Sequence, residues 1–329
     1  MSGSASKTIF FRMDGGPQIG LGHVMRCLAL ADMLMPAFSC TFCICQPAGQ
    51  ITQLLTQKGI SVQPLASQDV SGLLDLLPVN SLIVLDGYHF DETYQRHIKA
   101  AGHTLVFIDD LMTGHQVADV VINHTPGITA DRYLAEPYTR FCFGTAYALV
   151  NPVFQPAPLQ PESPYVLVNL GGADPQNMSR QLVEWLLECP DPLVIRVVLG
   201  GANVHVPTFA NLPADRVVML RNLSVPEMAR EMEQCRYAIL SCSTVSYELA
   251  TIGRPFIGIQ TAGNQQYLAD FFEKEKLAVH IFTWPPDADR FREMIHAIRP
   301  DQGVAAQRRF LDGRSAERFR ALFDHLTTN

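Results

Sequence analysis

The chain has 329 residues, 47% of them hydrophobic, and a length about twice the usual domain size predicts two globular cores. The formal net charge of -7, with no long basic run, argues against nucleic acid as a partner. The sequence has no run of about 18 apolar residues, so we expect no membrane partner and a cytoplasmic location.

Short apolar runs alternate with amphipathic stretches along the whole chain, which is typical of βαβ units and predicts the α/β class. In this class the strands form parallel sheets and helices cover both faces. In the first half we predict strands over residues 8–13, 39–45, 61–65, 81–86, 104–109 and 120–122, and helices over 21–35, 51–58 and 91–101.

Three of the eight cysteines, Cys40, Cys43 and Cys45, fall within the second predicted strand. Their spacing is compatible with a metal or redox site, but the sequence offers no second cluster of ligands. Free cysteine is among the most buried residue types. We therefore expect buried thiols, with neither a metal nor another cofactor.

Residues 151–163 are rich in proline and fit neither a helix interior nor a central strand. We predict that they link an N-terminal domain, residues 1–150, to a C-terminal domain, residues 164–329. In the second half we predict strands over 165–169, 194–199, 217–220, 237–241, 255–259 and 278–282, and helices over 177–188, 225–234, 244–251, 265–275, 288–298 and 315–327.

A glycine-rich turn follows the first strand, and it contains Gly20 and Gly22 immediately before His23. Such a turn exposes backbone N–H groups at a helix N-terminus. His23 is placed to point into the crevice at the carboxyl ends of the strands, where open α/β sheets bind ligands. Because a histidine accepts protons near neutral pH, we predict that His23 is a general base. The alternative is a histidine that caps the helix or packs in the core.

Asp86 and Tyr88 follow another strand of the same predicted sheet, so their side chains are expected at the same edge as His23. Both are candidate contacts for a sugar. The alternative is an aspartate that caps a helix beside a tyrosine packed on the loop. Asp109 and Asp110 end the next strand and leave the same two possibilities open.

The second half repeats the pattern of a strand, a turn and a helix. Gly171 and Gly172 form a turn suited to a phosphate or a sugar, and Ser243 and Thr244 open a helix whose N-terminal amides suit a diphosphate. Glu248 lies about one turn into that helix, where its carboxylate can accept hydrogen bonds from both hydroxyls of a ribose. A solvated helix glutamate is the alternative.

A carboxamide-rich turn that contains Asn264 and Gln265 follows a later strand of the second half. Both residues are candidate ligands of sugar hydroxyls or phosphate oxygens, because the turn lies at the carboxyl end of its strand. An exposed polar turn that binds nothing is the alternative.

Taken in order, the motifs Gly-x-Gly-His, Gly-Gly-Ala-Asp-Pro, Ser-x-Ser-Thr with Glu248, and Asn-Gln-Gln resemble the MurG-related proteins of the GT-B glycosyltransferase fold. Within that group, residues 12–31 and 171–177 are most similar to the UDP-2,4-diacetamido-2,4,6-trideoxy-β-L-altropyranose hydrolases of pseudaminic acid biosynthesis. The resemblance implies two Rossmann-like domains whose parallel sheets face each other across a cleft. It also implies that the last helix packs back on the N-terminal domain.

The resemblance further implies hydrolysis of the sugar C1–O bond with inversion, which releases UDP and the free sugar. His23 would be the catalytic base, and Gly20 and Gly22 would shape the turn beneath it. The remaining site residues implied by the family are Tyr88 and Asn264 for the sugar, Glu248 for the ribose, and Ser243 and Thr244 for the diphosphate. The expected partner is a small-molecule UDP-sugar, no metal is required, and we expect a monomer.

Two other functions remain open at this point. A soluble GT-B glycosyltransferase would pass the sugar to an acceptor hydroxyl instead of water, and the fold alone cannot separate the two reactions. Residues 1–150 show no apolar cluster flanked by basic residues, which favours a soluble acceptor. A non-catalytic nucleotide-sugar-binding protein is the second alternative, and His23 beside its glycines argues against it.

Overall fold

The computed structural model of the chain describes residues 7–16, 22–172, 174–190, 193–201 and 203–328. The chain divides into two compact units, of which the first consists of Met1–Pro152 and Arg314–Asn329 and the second of Val153–Gly313. Residues 151–163 contain neither a helix nor a strand, in keeping with their many prolines.

Strands and helices alternate through most of the first unit. Its elements are β1 (Thr8–Met13), α1 (Gly22–Leu34), β2 (Ser39–Cys45), α2 (Gly49–Gln57), β3 (Ser61–Leu65), α3 (Val70–Leu74), β4 (Leu82–Asp86), α4 (Glu92–Ala100), β5 (Thr104–Ile108), β6 (His115–Gln116), β7 (Val120–Asn123), β8 (Leu134–Ala135) and β9 (Arg140–Phe143), with 3-10 turns at Ala130–Arg132 and Thr145–Tyr147. A seven-stranded parallel sheet has the order β3-β2-β1-β4-β5-β7-β9, and β6 pairs only with β8.

Strand β4 shows why its apolar run forms a central strand, because all five of its residues are buried. Leu82 and Val84 pack in the apolar cluster that contains helix α1. Ile83 and Leu85 pack in a second cluster with Ile98 of α4. Successive side chains of a strand point to opposite faces, so the two clusters cover the two faces of the sheet.

The second unit has the same alternation. Its elements are β10 (Tyr165–Asn169), α5 (Met178–Glu188), β11 (Val194–Leu199), β12 (Val217–Arg221), α6 (Val225–Gln234), β13 (Tyr237–Ser241), α7 (Thr244–Ile252), β14 (Phe256–Gln260), α8 (Gln266–Lys274), β15 (His280–Thr283), α9 (Ala288–His296) and α10 (Val304–Phe310), with 3-10 turns at Val206–Phe209 and Gly263–Gln265. Six strands form one parallel sheet in the order β12-β11-β10-β13-β14-β15.

In both sheets the strand order reverses at the first strand of the unit. In the first unit β1 lies between β2 and β4, and in the second β10 lies between β11 and β13. At such a switch point the loops that follow the two strands diverge and leave a crevice, where α/β proteins bind their ligands. The loops after β1 and β4, and those after β10 and β13, are therefore the first places to search for a functional site.

Helix α11 (Ser315–Thr328) ends the chain and packs on the first unit. Phe319, Leu322 and Phe323 recur at helical spacing and lie in the same apolar cluster as α1. The ring of Phe323 meets Phe38 edge to face with centroids 6.4 Å apart. None of the helices in the described ranges is both long and apolar enough to cross a membrane.

The main predicted elements agree with the structure to within two residues at each end. Among the elements that were not predicted are α3, β9 and α10. Helix α3 has five residues, too few for a helical period, and β9 is an edge strand that begins at the exposed Arg140. In α10 a polar residue, Gln307, is fully buried, and its Nε2 donates to the carbonyl oxygens of Arg254 and Leu277 at 2.8 Å.

Candidate active site

His23 lies in the first turn of α1, and its side chain is almost fully buried. Asp86 is the last residue of β4 and pairs with Met13, the last residue of β1, in the parallel register. The switch point of the first sheet therefore brings together two residues that are 63 positions apart in sequence, and His23 Nδ1 lies 2.7 Å from Asp86 Oδ1.

The charge of Asp86 decides the tautomer of His23. Burial favours the neutral carboxyl, but the Arg26 guanidinium and the hydrogen bonds from Arg26 and His23 outweigh burial and hold the pKa of Asp86 below its ordinary value. A carboxylate only accepts hydrogen bonds, so the 2.7 Å contact with Asp86 assigns the proton to Nδ1 of His23, and this contact is shorter than the 3.1 Å from Arg26 Nη2 to the same nitrogen. Nε2 is then the acceptor nitrogen of the neutral ring, and this is the form that a general base requires.

Arg26 lies three residues after His23 on α1 and joins two acidic side chains. Its Nε and Nη2 donate to the two oxygens of Asp86 at 2.6 and 2.5 Å, and its Nη1 donates to Asp110 Oδ2 at 2.7 Å. A forked pair of this kind fixes the plane of the carboxylate. Arg26 thus holds Asp86 in the orientation that accepts the bond from His23.

Two residues next to this network, the partly buried His124 and the buried Cys27, are neutral near neutral pH. Burial lowers the pKa of His124 to about 4, and the nearby charge of Arg26 acts in the same direction. The thiol of Cys27 donates to Asp86 Oδ2 at 3.6 Å, and burial raises the pKa of Cys27 well above its ordinary value. The charges of Arg26 and its two carboxylate partners therefore act on His23 without a further charge from His124 or Cys27.

A pocket of about 290 Å³ opens beside His23, and the residues that line it are Asp14, His23, Gly87, Tyr88 and His89. Tyr88 is 60% exposed, and its ring meets the His23 imidazole edge to face with centroids 4.8 Å apart. The Tyr88 hydroxyl donates to Asp110 Oδ2 at 3.5 Å. The exposed ring of Tyr88 beside His23 therefore offers a flat surface on which the apolar face of a sugar can pack.

In the second unit, the turn after β10 is built from backbone that lies open to a ligand. Gly171 has a φ of 101°, a left-handed conformation that favours glycine, and its N–H donates to Asn169 Oδ1 at 3.0 Å. Gly172 is exposed. A Cβ added to Gly200, which follows β11, would overlap the backbone of Gly172, so the two turns meet without side chains between them.

Ser243 and Thr244 lie where β13 passes into α7. The hydroxyl oxygen of Ser243 is 2.8 Å from that of Ser241, and the Ser243 N–H donates to Ser246 Oγ at 3.2 Å. Thr244 is exposed at the first position of the helix. Serine side chains thus order this turn, and the N-terminal end of α7 carries the partial positive charge that favours an anion.

Glu248 lies further along α7 and is half-buried. Burial raises the pKa of its carboxyl to about 8. A carboxyl whose pKa is raised by burial gains most from a ligand that donates hydrogen bonds to it, because such bonds restore the ionised form. This is the behaviour expected of a residue that binds neighbouring hydroxyl groups.

The two carboxamides predicted as ligands differ in their surroundings. Gln265 Oε1 accepts from the N–H and the hydroxyl of Thr261 at 2.8 and 3.2 Å, so this side chain holds its own turn. Asn264 is exposed in the same turn. Asn264 is therefore the better placed of the two to contact a ligand.

The structure corrects the role predicted for Asp86. Its side chain is 0% exposed, and its oxygens are bound by Arg26 and His23, so it supports His23 from behind and does not reach a sugar in the pocket. The structure also gives different roles to Asp109 and Asp110, the two aspartates that follow the next strand. Asp109 caps its turn by accepting from the N–H groups that follow it, whereas Asp110 joins the network of Arg26.

Arg26, Asp14 and His89 border the site but were not predicted to belong to it. The signal for Arg26 was its spacing from the histidine, because side chains three residues apart meet on a helix. Gly20, the predicted turn glycine, lies outside the described residues, whereas Gly22 begins α1. Within the described ranges, no three His, Cys, Asp or Glu side chains come together as a group that could hold a metal ion.

Curated proteins from three organisms are similar to this chain in sequence. The UDP-2,4-diacetamido-2,4,6-trideoxy-beta-L-altropyranose hydrolase of Campylobacter jejuni is 25% identical over 277 residues, which cover 81% of this chain and 96% of that protein. The spore coat polysaccharide biosynthesis protein SpsG of Bacillus subtilis is 24% identical over 82% of this chain and 81% of its own length. The uncharacterized protein MJ1062 of Methanocaldococcus jannaschii is 22% identical over 82% of this chain, which spans only 58% of that protein. No protein-family model matches the sequence.

Solved structures share the architecture of this chain at low sequence identity. The TM-score is 0.65 against MurG of Acinetobacter baumannii, with 14% identity and coverage of 97% of this chain and 99% of MurG. It is 0.69 against CalG4, the calicheamicin glycosyltransferase, with 14% identity and 99% of both chains covered. It is 0.64 against HepE of Anabaena in complex with UDP-glucose, with 12% identity and coverage of 98% and 99%. The chain therefore has the GT-B fold, which confirms the predicted fold class.

Proposed function

We propose that this chain, which has the GT-B fold and is similar in sequence to the Campylobacter hydrolase, hydrolyses a UDP-linked 2,4-diacetamido-2,4,6-trideoxy sugar. The reaction breaks the bond between C1 and the diphosphate oxygen with inversion, and it releases UDP and the free sugar. The observation that carries the proposal is the His23–Asp86 pair at the switch point of the first sheet. The pair leaves an acceptor nitrogen on a histidine that lines a pocket of about 290 Å³.

In the proposed reaction, Nε2 of His23 accepts a proton from a water molecule while the water oxygen bonds to C1. The C1–O bond to the diphosphate breaks, and its electron pair leaves with UDP. Asp86 stabilises the imidazolium that forms, and Arg26 keeps Asp86 ionised. An inverting displacement needs one base to direct the water, and UDP leaves without a strong general acid.

The second unit supplies the binding site for UDP in this proposal. The N-terminal end of α7, at Ser243 and Thr244, and the open backbone of Gly171 and Gly172 would bind the diphosphate. Both turns follow strands that flank the switch point of the second sheet. Glu248 would accept the ribose hydroxyls. The exposed Asn264 would contact the sugar, and Gln265 would keep its turn in place.

A glycosyltransferase is the second candidate, because MurG and CalG4 share the fold. In that reaction an acceptor hydroxyl takes the place of water at His23, and the fold does not distinguish the two outcomes. A protein that binds a UDP-sugar without turning it over is the third. The His23–Asp86 pair favours a reaction, because fixing a tautomer matters most for proton transfer.

Release of UDP from a panel of UDP-linked diacetamido sugars tests the proposal. The same reaction in oxygen-18 water identifies the atom that the water attacks. Attack at C1 places the label in the sugar, and attack at phosphorus places it in UDP. We expect UDP release without any added acceptor and label in the sugar. Label in UDP, or release only when an acceptor is supplied, would contradict hydrolysis at C1.

Substitution of the pair tests its chemistry. His23→Asn should lower turnover about 100-fold to 10,000-fold, the scale of a lost general base. Asp86→Asn should act in the same direction, since an amide can donate to Nδ1 and thereby move the ring proton to Nε2. UDP affinity should stay nearly unchanged in both. His97→Asn, on the exposed face of α4, is the matched control, and near-normal turnover by His23→Asn would mean that another group activates the water.

A further inference from the structure

His89 lines the same pocket as His23 and has a carboxylate next to it. Its Nε2 lies 3.4 Å from Asp14 Oδ2, and its side chain is 34% exposed whereas that of Asp14 is 5% exposed. Asp14 directly follows β1, just as Asp86 ends the neighbouring β4. The pocket is thus bordered by two histidines, each beside an aspartate from a strand end at the switch point.

Asp14 is held in place through Oδ1, the carboxylate oxygen that does not contact His89. Its Oδ1 accepts from Arg12 Nη1 at 2.6 Å and from the Cys45 N–H at 2.9 Å. Arg12 is fully buried. Burial alone would lower the pKa of Arg12, but its bond to Asp14 and the charge of Asp14 leave that pKa raised, so the guanidinium stays charged. These bonds fix Oδ1, and because the carboxylate is planar they also restrict the position of Oδ2.

The second oxygen of Asp14, Oδ2, is buried and makes no hydrogen bond with any residue that the structure describes. Such atoms are uncommon in folded proteins, because an unpaired buried acceptor costs free energy. The contact with His89 Nε2 is slightly too long for a good hydrogen bond.

We propose that His89 is a sugar-binding residue positioned by Asp14. In this arrangement the Nε2–H of His89 donates to Asp14 Oδ2, and Nδ1 of His89 accepts the N–H of an acetamido group of the sugar. This inference rests on the proposed function, because the diacetamido sugar supplies the N–H donors. An amide N–H only donates, so an acceptor nitrogen complements it, and the ring of Tyr88, which lines the same pocket, suits the acetamido methyl group.

The protonation state of His89 is compatible with this role. Burial lowers the pKa of His89, and the charge of Arg12 acts in the same direction, whereas the charge of Asp14 acts against them. A neutral imidazole keeps one nitrogen as an acceptor, which a protonated ring does not. His89 can therefore donate to Asp14 and accept from the sugar at the same time.

Calorimetry in the His23→Asn background tests the role of His89, because the substrate is then not consumed. We expect a further His89→Ala substitution to weaken binding of the UDP-linked diacetamido sugar about 3-fold to 10-fold, the effect of one hydrogen bond. Binding of UDP should not change. His97→Ala in the same background is the control and should alter neither affinity. Equal affinity of the His89→Ala protein and its parent for the UDP-sugar would overturn the proposal.

Substrate analogues provide a readout that a purely structural role would not change. Methylation of the acetamido nitrogen at C2 or at C4 removes one N–H donor, and the His89→Ala penalty should vanish with one analogue and persist with the other. Asp14→Asn should weaken binding of the UDP-sugar only while His89 is present, as a double-mutant cycle measures. A penalty that persists with both analogues, or additive effects of the two substitutions, would contradict the proposed contact.

The outcomes separate this inference from the proposed function. Loss of affinity in the His89→Ala protein, together with no UDP release by the unsubstituted protein, would contradict hydrolysis and leave the role of His89 intact. UDP release by the unsubstituted protein, with unchanged binding in the His89→Ala protein, would contradict the role of His89 alone. A His23→Asn protein that binds the UDP-sugar no more tightly than UDP would also overturn it.

Discussion

The chemistry of His23 depends on residues that are far from it in sequence. Its Nδ1 is bound by Asp86, which Arg26 holds as a carboxylate, and Arg26 is in turn held by Asp110. Each of these bonds is short, and the group is almost fully buried, so water screens its charges little. A single substitution in the network is therefore expected to change the state of the ring as well as its position.

UDP binding should depend on pH through Glu248. Burial raises the pKa of its carboxyl to about 8, so below that pH the free protein holds it mostly protonated. If the carboxylate accepts the ribose hydroxyls, binding favours the ionised form and must release a proton below that pH. We expect the affinity for UDP to fall about tenfold between pH 9 and pH 7, which calorimetry in buffers of different ionisation enthalpy measures directly.

Glu248→Gln removes this titration and serves as the control. In the unfolded chain the carboxyl ionises near its ordinary value of 4.5, whereas the folded protein keeps the proton up to about 8. The residue therefore favours the folded state at low pH, and this contribution is lost as the pH rises through about 8. Without UDP, Glu248→Gln should raise the melting temperature most at alkaline pH. The same pH dependence of UDP affinity in the variant would exclude Glu248 as its cause.

At the scale of elements, the candidate UDP site depends on how closely two turns approach each other. The turn after β10 contains Gly171 and Gly172, and the turn after β11 begins with Gly200. A side chain at Gly200 would overlap the backbone of Gly172, which cannot move aside as a flexible side chain can. The position of the first turn therefore depends on a glycine in the second.

Gly200→Ala should displace the turn after β10. We expect a loss of about 1–3 kcal/mol in the free energy of unfolding, the usual effect of overpacking. UDP affinity should fall about tenfold if this turn binds the diphosphate through one or two hydrogen bonds. Thermal unfolding and calorimetry measure the two effects. Gly49→Ala is the control, since a Cβ there meets open space, and normal UDP affinity in a destabilised Gly200→Ala protein would remove the turn from the proposed site.

At the scale of the whole molecule, the first unit is built from both ends of the chain. Residues Arg314–Asn329 belong to it although the second unit separates them from Met1–Pro152 in sequence. Helix α11 contributes Phe319, Leu322 and Phe323 to the core that contains α1. The first unit therefore cannot complete its core without helix α11.

Phe323→Ala should destabilise the first unit and spare the second. Loss of a fully buried phenylalanine costs about 3–5 kcal/mol in the free energy of unfolding, and hydrogen exchange should show the loss of protection in the strands and helices of the first unit. UDP binding should be retained if its site lies in the second unit. Asp324→Ala, at the exposed neighbouring position, is the control. Equal loss of protection in both units would contradict this division.

The sequence alone determined the class of the fold and the bounds of most of its elements. These features depend on residues that are neighbours in sequence, so a local pattern reveals them. Examples are the apolar runs 8–13 and 237–241 and the proline-rich stretch 151–163. The glycine-rich sequence that precedes His23 is also a local signal, because glycines between a predicted strand and a predicted helix indicate a turn. His23 could be singled out for this reason.

Only the tertiary structure decided which residues surround His23. The pairing of β1 with β4 places Asp86 beside helix α1 and Asp14 beside His89 at the edge of the same pocket. The pairing of β4 with β5 then brings Asp110 to Arg26. Parallel strands pair over long separations in sequence, and no local pattern states which strands become neighbours. The same reason explains why Asp86 was predicted to face a sugar and instead lies buried behind the histidine.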